Sequence, residues 1–226
     1  MVSNGMAKTK RPLRRRARKE EDKEARRRVI LDGALALYSA TSYEAVKVAD
    51  VAERARLAKG TVFLYFPTKE ALFLALLEEL LFAWLEKLEG LLGGGEEQWT
   101  GPQLARTVAE SLEGHETLTR LLALRQPVLE QNVDSEQVRG FKERLLESTV
   151  STGELLEQRL EFLRPGEGAR FFIHLQALVT GLRQMADVAP AMREVMDLPH
   201  MALLRVDFTQ ELTDALTTLL HGLETR

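Results

Sequence analysis

The stretch from Val46 to Leu72, VKVADVAERARLAKGTVFLYFPTKEAL, leaves the chain little choice of local structure. Val48, Val51 and Ala52 recur at i, i+3 and i+4, which gives a short helix one apolar face. Ala55, Arg56 and Leu57 then break the pattern, for too few residues to form anything but a helix–helix corner. A second short helix is predicted over Ala58–Phe66. Pro67 halts it, because proline disfavours the helical conformation of the residue before it. Helical periodicity restarts behind Thr68 at Lys69, Glu70, Ala71 and Leu72. Two short helices meeting at a sharp corner make a helix-turn-helix, a shape whose second helix fits a DNA major groove. That second helix carries Gly60-Thr61-Val62-Phe63-Leu64-Tyr65-Phe66. Glycine, hydroxyl and aromatic groups on its outer side suit contact with a nucleic-acid backbone better than burial.

Charge divides in the same sense. Residues 1–69 hold 17 Lys and Arg against 8 Asp and Glu, while the remainder holds 14 against 26. A basic front on an acidic body suits a nucleic-acid reader with a separate second domain, although the same segregation also serves plain solubility. Lys8, Lys10, Arg11, Arg14, Arg15, Arg16, Arg18 and Lys19 stand in residues 1–19, which hold no acidic residue. Like charge without apolar groups predicts a basic disordered tail there, adding phosphate attraction that fades with salt. The 226 residues suffice for one small module and one larger helical domain. With no cysteine, disulfides, thiolate metal sites and cysteine catalysis are excluded. No apolar run reaches the roughly 18 residues of a membrane span, and the basic start has no apolar segment behind it. The expectation is a cytoplasmic protein with no membrane partner.

The residues from about Arg27 to Leu77 resemble the DNA-binding domain of the TetR family of transcriptional regulators. The resemblance rests on Ala34, Leu37, Tyr38 and Tyr43, on Val51-Ala52, on Lys59-Gly60-Thr61, on Tyr65-Phe66 and on Lys69-Glu70-Ala71-Leu72. It implies an all-α fold, with an N-terminal three-helix helix-turn-helix domain (20–67) and a larger ligand-binding and dimerisation domain (68–226). Within the latter, 68–92 would be a connecting helix. By position it implies that Lys59, Gly60 and Thr61 approach bases, that Tyr65 and Lys69 grip phosphates, and that Phe63 and Leu64 lie on or near the groove-facing side. The chemistry agrees: phosphate takes a cation or hydroxyl donor, and Thr61 offers a hydroxyl and a methyl for thymine. Tyr43, Val62 and Phe66 are expected in the core. The chain departs from the family pattern at Ser42, at Val48 (where a capping threonine is usual, with Lys47 as substitute), at Arg56 in a glycine position, and at Phe63 in place of tyrosine. A left-handed Arg56 would cost about 1 kcal/mol.

Beyond the module the periodicity predicts helices over Glu20–Ser39 (stripe Val29, Ile30, Ala34, Leu37, Tyr38), Thr68–Leu92, Leu104–Leu112, Glu116–Gln131 with a kink at Pro127, Ser135–Leu163, Glu167–Val188 and Arg205–Leu223. Gly93 to Gly95 begins a linker, and Ala189–Pro199 reads as irregular. The last two long helices are expected to pair with a second copy through Ala177, Gly181, Phe208, Leu212, Leu216 and Leu219, as the resemblance implies; the alternative is that they close a monomer core. A polar set within apolar helices (His115, Arg125, Gln126, His174, Gln176 and Arg183) is read either as core hydrogen bonding or as the wall of a ligand cavity. The four histidines lack metal-ligand spacing, and no convergent acid/base set singles out an enzyme, so neither cofactor nor catalysis is expected. The resulting expectation is a homodimeric repressor that leaves a palindromic DNA operator when a small molecule binds. Its competitor is a helical protein–protein adaptor with a basic tail.

Overall fold

The computed structural model describes residues 10–94, 98–188 and 190–226, with side chains described from Glu20 onward, Pro190 excepted. The regular structure of the described residues is helical throughout, with no strand among them. The chain divides into two units, one ending at Leu72 and the next beginning at Phe73.

The first unit contains α1 (Lys10–Ala40), α2 (Val48–Arg54), α3 (Lys59–Tyr65) and the start of α4 (Lys69–Gly93). Helix α1 begins at Lys10, so residues 10–19, expected to be a disordered tail, are its first turns. The rest of that tail, residues 1–9, lies outside the described residues. The buried stripe of α1 is Ile30, Leu31, Ala34 and Tyr38, whereas Val29 is 46% exposed. Ile30, Ala34 and Tyr38 follow one another at i+4, and Leu31 rather than Val29 widens that face. Gly33 lets α2 come close, since a Cβ there would meet the Val51 carbonyl at 3.4 Å.

The corner after α2 is a helix stop of defined form. Leu57 N–H donates to the Ala52 carbonyl at 2.9 Å and Arg56 N–H to the Glu53 carbonyl at 3.0 Å. These are the paired bonds of a Schellman motif, whose left-handed position glycine usually fills. Arg56 fills it here, at φ 55°. The strain expected of an arginine in a glycine position is therefore present.

The second unit holds the remainder of α4, then α5 (Gly101–Ser111), α6 (Glu116–Leu124), a π-helical turn (Arg125–Leu129), α7 (Ser135–Arg159), α8 (Glu167–Ala186), α9 (Pro190–Met196), a 3-10 turn (Pro199–Leu204) and α10 (Phe208–Glu224). The kink expected at Pro127 takes the form of the π turn, closed by Glu130 N–H donating to the Arg125 carbonyl at 3.0 Å. The stretch expected to be irregular contains α9 instead. Helix α5 starts on a capping box: Thr100 accepts from Gln103 N–H at 3.3 Å, and the Gln103 side chain accepts from Thr100 N–H at 2.9 Å.

Helix α10 packs chiefly on α5 and also on α8, which in turn carries α6 and α7. The α7–α8 crossing is closed to backbone contact. A Cβ on Gly168 would stand 2.0 Å from the Gly153 carbonyl oxygen, and one on Gly153 only 2.5 Å from Ala169 N. This proximity lets Glu157 of α7 accept from the Gly166 and Gly168 amides at 2.8 and 2.9 Å, capping the start of α8. Helix α4 is tied to α5 by Trp84 Nε1 donating to Ser111 Oγ at 3.0 Å. It is tied to α7 by Thr152 Oγ1 donating to Glu89 at 2.6 Å, and by Arg159 Nε donating to the Leu92 carbonyl at 2.7 Å. Among the described residues no helix is long and apolar enough to cross a membrane.

Candidate nucleic-acid interface and effector cavity

Helix α3 is anchored by its inner residues. Val62 is fully buried and Phe66, at its C-cap, is 4% exposed, as expected of both. Burying those two turns Lys59, Gly60, Phe63 and Leu64 outward, with Thr61 and Tyr65 half-buried at the edges. Leu64 is 84% exposed. Lys59 Nζ lies 5.8 Å from the Phe63 ring centroid, so cation and aromatic occupy one face.

The N-caps of both short helices, Lys47 for α2 and Ala58 for α3, are extended and make no side-chain capping bond. Substitution of the usual capping threonine by Val48 thus leaves α2 without that cap, while Lys47 stands exposed beside it. Backbone amides at such ends favour anionic groups.

Lys69 is held against Tyr43. Its Nζ donates to the Tyr43 carbonyl and sits 4.1 Å from the Tyr43 ring centroid. Burial lowers the Lys69 pKa, against the attraction of Glu44 and Glu70. Tyr43 is itself buried, as expected, and its hydroxyl is pushed well above the ordinary tyrosine range by burial and then by Glu70. In this arrangement Lys69 ties the loop before α2 to the start of α4.

Within the second unit, α4, α6, α7 and α8 line a half-open pocket of about 270 Å³ whose wall is almost wholly apolar, with Leu81, Trp84, Leu145, Phe172 and Val179 inside and the exposed Leu146 and Ile173 at its rim. Of the polar residues expected at a cavity, Arg125 and Gln176 line it. The others do not. His174 is exposed on α8, Gln126 is exposed on the π turn, and His115 is the half-buried N-cap of α6. Arg183 borders a separate hollow, its guanidinium 4.2 Å from the Phe208 ring centroid and 3.9 Å from Asp187. Helix periodicity alone points His174 and Gln176 to different faces, since two residues on a helix are about 200° apart.

Lys142 and Thr149 complete the polar part of the wall. No sequence signal picks them out, because they are separated from Arg125 by a π turn whose direction is not readable from residue pattern. Arg125 is 3% exposed and bonds Glu130 at 2.6 Å, and Lys142 reaches the same Glu130 oxygen at 2.8 Å. Burial would raise the Glu130 pKa, but the hydrogen bonds from Lys142 and Arg125 outweigh it and hold the carboxyl below the ordinary range.

Residues 30–76 match the tetR family of bacterial regulatory proteins, and residues 78–226 match the tetracyclin repressor-like C-terminal domain. The chain belongs to the TetR family. Among its relatives, YvdT of Bacillus subtilis, an uncharacterized HTH-type transcriptional regulator, is 37% identical over 71 residues, 31% of this chain and 37% of that protein. The HTH-type transcriptional repressor KstR of Rhodococcus jostii is 52% identical over 52 residues, 23% of this chain and 24% of that protein. The match thus spans only 24% to 37% of the length of these relatives. The fold extends further. The fatty acid degradation regulator FadR from Bacillus halodurans superposes with a TM-score of 0.56 at 20% identity, over 87% of this chain and 95% of that one.

For a TetR-family chain the outer faces of α8 and α10 are of interest, and here the structure corrects the expected residues. Phe208, Leu212 and Leu216 are buried within the single chain, on the α10 face spent against α5 and α8. They are core, not partner contacts. Helix α10 carries a second apolar stripe, Ala215, Leu219 and Leu223, which is half-buried. On α8 the buried face is Phe171, Phe172, Leu175 and Val179, while Ile173 at 66% and Met185 at 61% are exposed. Ala177 and Gly181 continue the Ile173–Met185 line at i+4 steps, and a Cβ on Gly181 would meet nothing within 4 Å.

Proposed function

We propose that this TetR-family chain is a DNA-binding transcriptional regulator, a repressor that holds a palindromic operator as a homodimer and leaves it when a small molecule enters the second unit. The observation that carries the reading is the outward display of Lys59, Gly60, Phe63 and the 84% exposed Leu64 on a helix pinned from behind by Val62 and Phe66. A rigid short helix with an exposed mixed face is what a major groove accepts. Lys47 and Tyr65 flank that face and suit phosphate, and Thr61 stands at its edge.

One such helix reads too few bases for useful specificity, so two copies are needed. The stripe Ile173, Ala177, Gly181, Met185 on α8, with Ala215 and Leu219 on α10, supports a two-fold pairing of these helices. Two heads fixed in this way bind half-sites roughly 34 Å apart or a multiple of that. An effector in the 270 Å³ cavity lies against Leu81, Trp84 and Leu85 of α4, the helix that begins at Lys69 in the first unit. Release requires only that the effector prefer the arrangement of α4 in which the heads no longer match the groove repeat. No step calls for a cofactor or for enzymatic turnover, and the setting is the cytoplasm, where DNA and metabolites meet.

The test is salt-dependent binding of the purified chain to a palindromic duplex from beside its own gene, against a scrambled duplex. Preference for the palindrome, steeply weakened by salt, supports the reading. Equal, weak binding to both duplexes, with capture of acidic proteins by the basic front end, points to the adaptor instead.

A further inference from the structure

From Ala58 to Tyr65 the chain has no arginine, asparagine, glutamine, aspartate or glutamate. Those are the side chains that pair with guanine or adenine through two hydrogen bonds, or accept from the amino group of cytosine. Lys59 is the one charged group of α3, and its Nζ lies 5.8 Å from the Phe63 ring centroid, so it offers a point charge rather than a fork. Thr61 and Tyr65, at the edges, add single hydroxyls. The rest of the outward face is apolar: Phe63 is 39% exposed and Leu64 84% exposed.

An exposed leucine is ordinary on a protein surface. What distinguishes Leu64 is the position it covers. Helix side chains lean toward the N-terminus, so Leu64 lies over the residues three and four places earlier, Thr61 and Gly60. Gly60 has no side chain, and a Cβ built there would meet nothing within 4 Å. The outcome is a shallow notch with the Gly60 backbone as its floor and Leu64 as its apolar wall. Among the base-edge groups of the major groove, the only alkyl group is the C5-methyl of thymine. It is the same size as the methyl that Gly60 lacks.

Building on the operator-binding reading above, we propose that Leu64, over Gly60, reads the C5-methyl of a thymine in each operator half-site. Lys59 adds attraction that is the same with the methyl or without it. Specificity at this place is thus carried by an apolar contact instead of a hydrogen-bonded pair.

The probe is the palindromic duplex from beside the chain's own gene, made once with thymine and once with uracil throughout, and titrated with the full chain by fluorescence anisotropy. Uracil pairs as thymine does, carries the same charge and lacks only the methyl. Burying a methyl is worth on the order of fourfold in affinity, so losing one from each half-site should weaken binding about fifteenfold. Leu64→Ala, a change at an exposed site, should bind the two duplexes alike. Leu64→Met keeps an apolar side chain of similar reach and should retain the preference for thymine. Lys59→Ala should weaken both duplexes by the same factor and leave their ratio unchanged.

Equal affinity of the wild-type chain for the two duplexes overturns the proposal. So does a Leu64→Ala chain that melts like wild type and keeps the full preference, because the methyl then acts through duplex shape or another side chain. Comparison with a scrambled duplex separates the two levels. A chain that prefers the palindrome and binds its thymine and uracil forms alike keeps the regulator reading and loses the methyl contact. A chain with no preference for the palindrome loses both.

Discussion

Replacing Gly168 by alanine tests the packing on which the whole second unit depends. The added Cβ would stand 2.0 Å from the Gly153 carbonyl oxygen and within 2.9 Å of two further Gly153 backbone atoms. No rotamer change relieves a clash with backbone, so α7 and α8 must part by about an ångström to bring the 2.0 Å approach back to an allowed contact. A gap of that size forfeits a quarter to a half of each dispersion contact across the crossing, a loss of about 2 kcal/mol in line with overpacked cores. The same movement stretches the bonds from the Gly166 and Gly168 amides to Glu157, about 1 kcal/mol more. The sum, about 3 kcal/mol, lowers the melting temperature by about 6–12 °C for a chain of this length. Gly140→Ala is the control: it lies in α7, and its Cβ would meet nothing within 4 Å. There the helix gains about 0.5–1 kcal/mol from the more helix-prone residue. Scanning calorimetry of the three proteins decides. A Gly168→Ala chain melting at or above wild type would refute the backbone crossing.

Arg56→Gly relieves the left-handed strain at the α2 corner and should stabilise the chain by about 0.5–1 kcal/mol net of the glycine entropy, read from denaturant unfolding. Lys69→Ala removes the bond to the Tyr43 carbonyl and the cation–π contact; with partial exposure discounted, it should cost about 1 kcal/mol and lower the melting point by a few degrees. An unchanged midpoint would mean that Lys69 is not a clamp. Glu130→Gln leaves Arg125 less well paired and should cost about 2 kcal/mol at neutral pH. Because the folded Glu130 pKa lies below its ordinary 4.5, its stabilisation is complete above that value and is lost as pH falls through the lowered one. The gap between wild type and Glu130→Gln should therefore close in acid, and a gap that persists there contradicts the assignment.

The helix-turn-helix was legible because its signals are local: apolar residues at helical spacing, a break of a few residues, and Pro67. Even the strain at Arg56 could be anticipated, since a corner position fixes the sign of φ before any tertiary contact forms. Surface and core on one helix were harder to separate. Helix α10 is apolar on two faces, so Phe208, Leu212 and Leu216 could not be told from a partner surface until α5 was seen to cover them. The α7–α8 crossing was missed because Gly153 and Gly168 look like ordinary helix glycines in sequence, and only their mutual approach gives them meaning. The cavity was half legible: Arg125 and Gln176 were named, but a π turn changes the direction of everything after it, hiding Lys142 and Thr149. The tie from Lys69 to the Tyr43 carbonyl was not legible for a related reason, because a lysine's place in the sequence does not say which carbonyl it reaches.

Hydroxyl-radical footprinting of the full chain on the DNA beside its own gene addresses the central claim most directly. Two protected patches on a palindrome, centred about 34 Å or a multiple apart and lost together in a Lys59→Ala, Leu64→Ala variant that melts like wild type, are predicted. A single patch would show that two copies do not read the site together, and protection that survives in that variant would show that α3 is not the element that reads DNA.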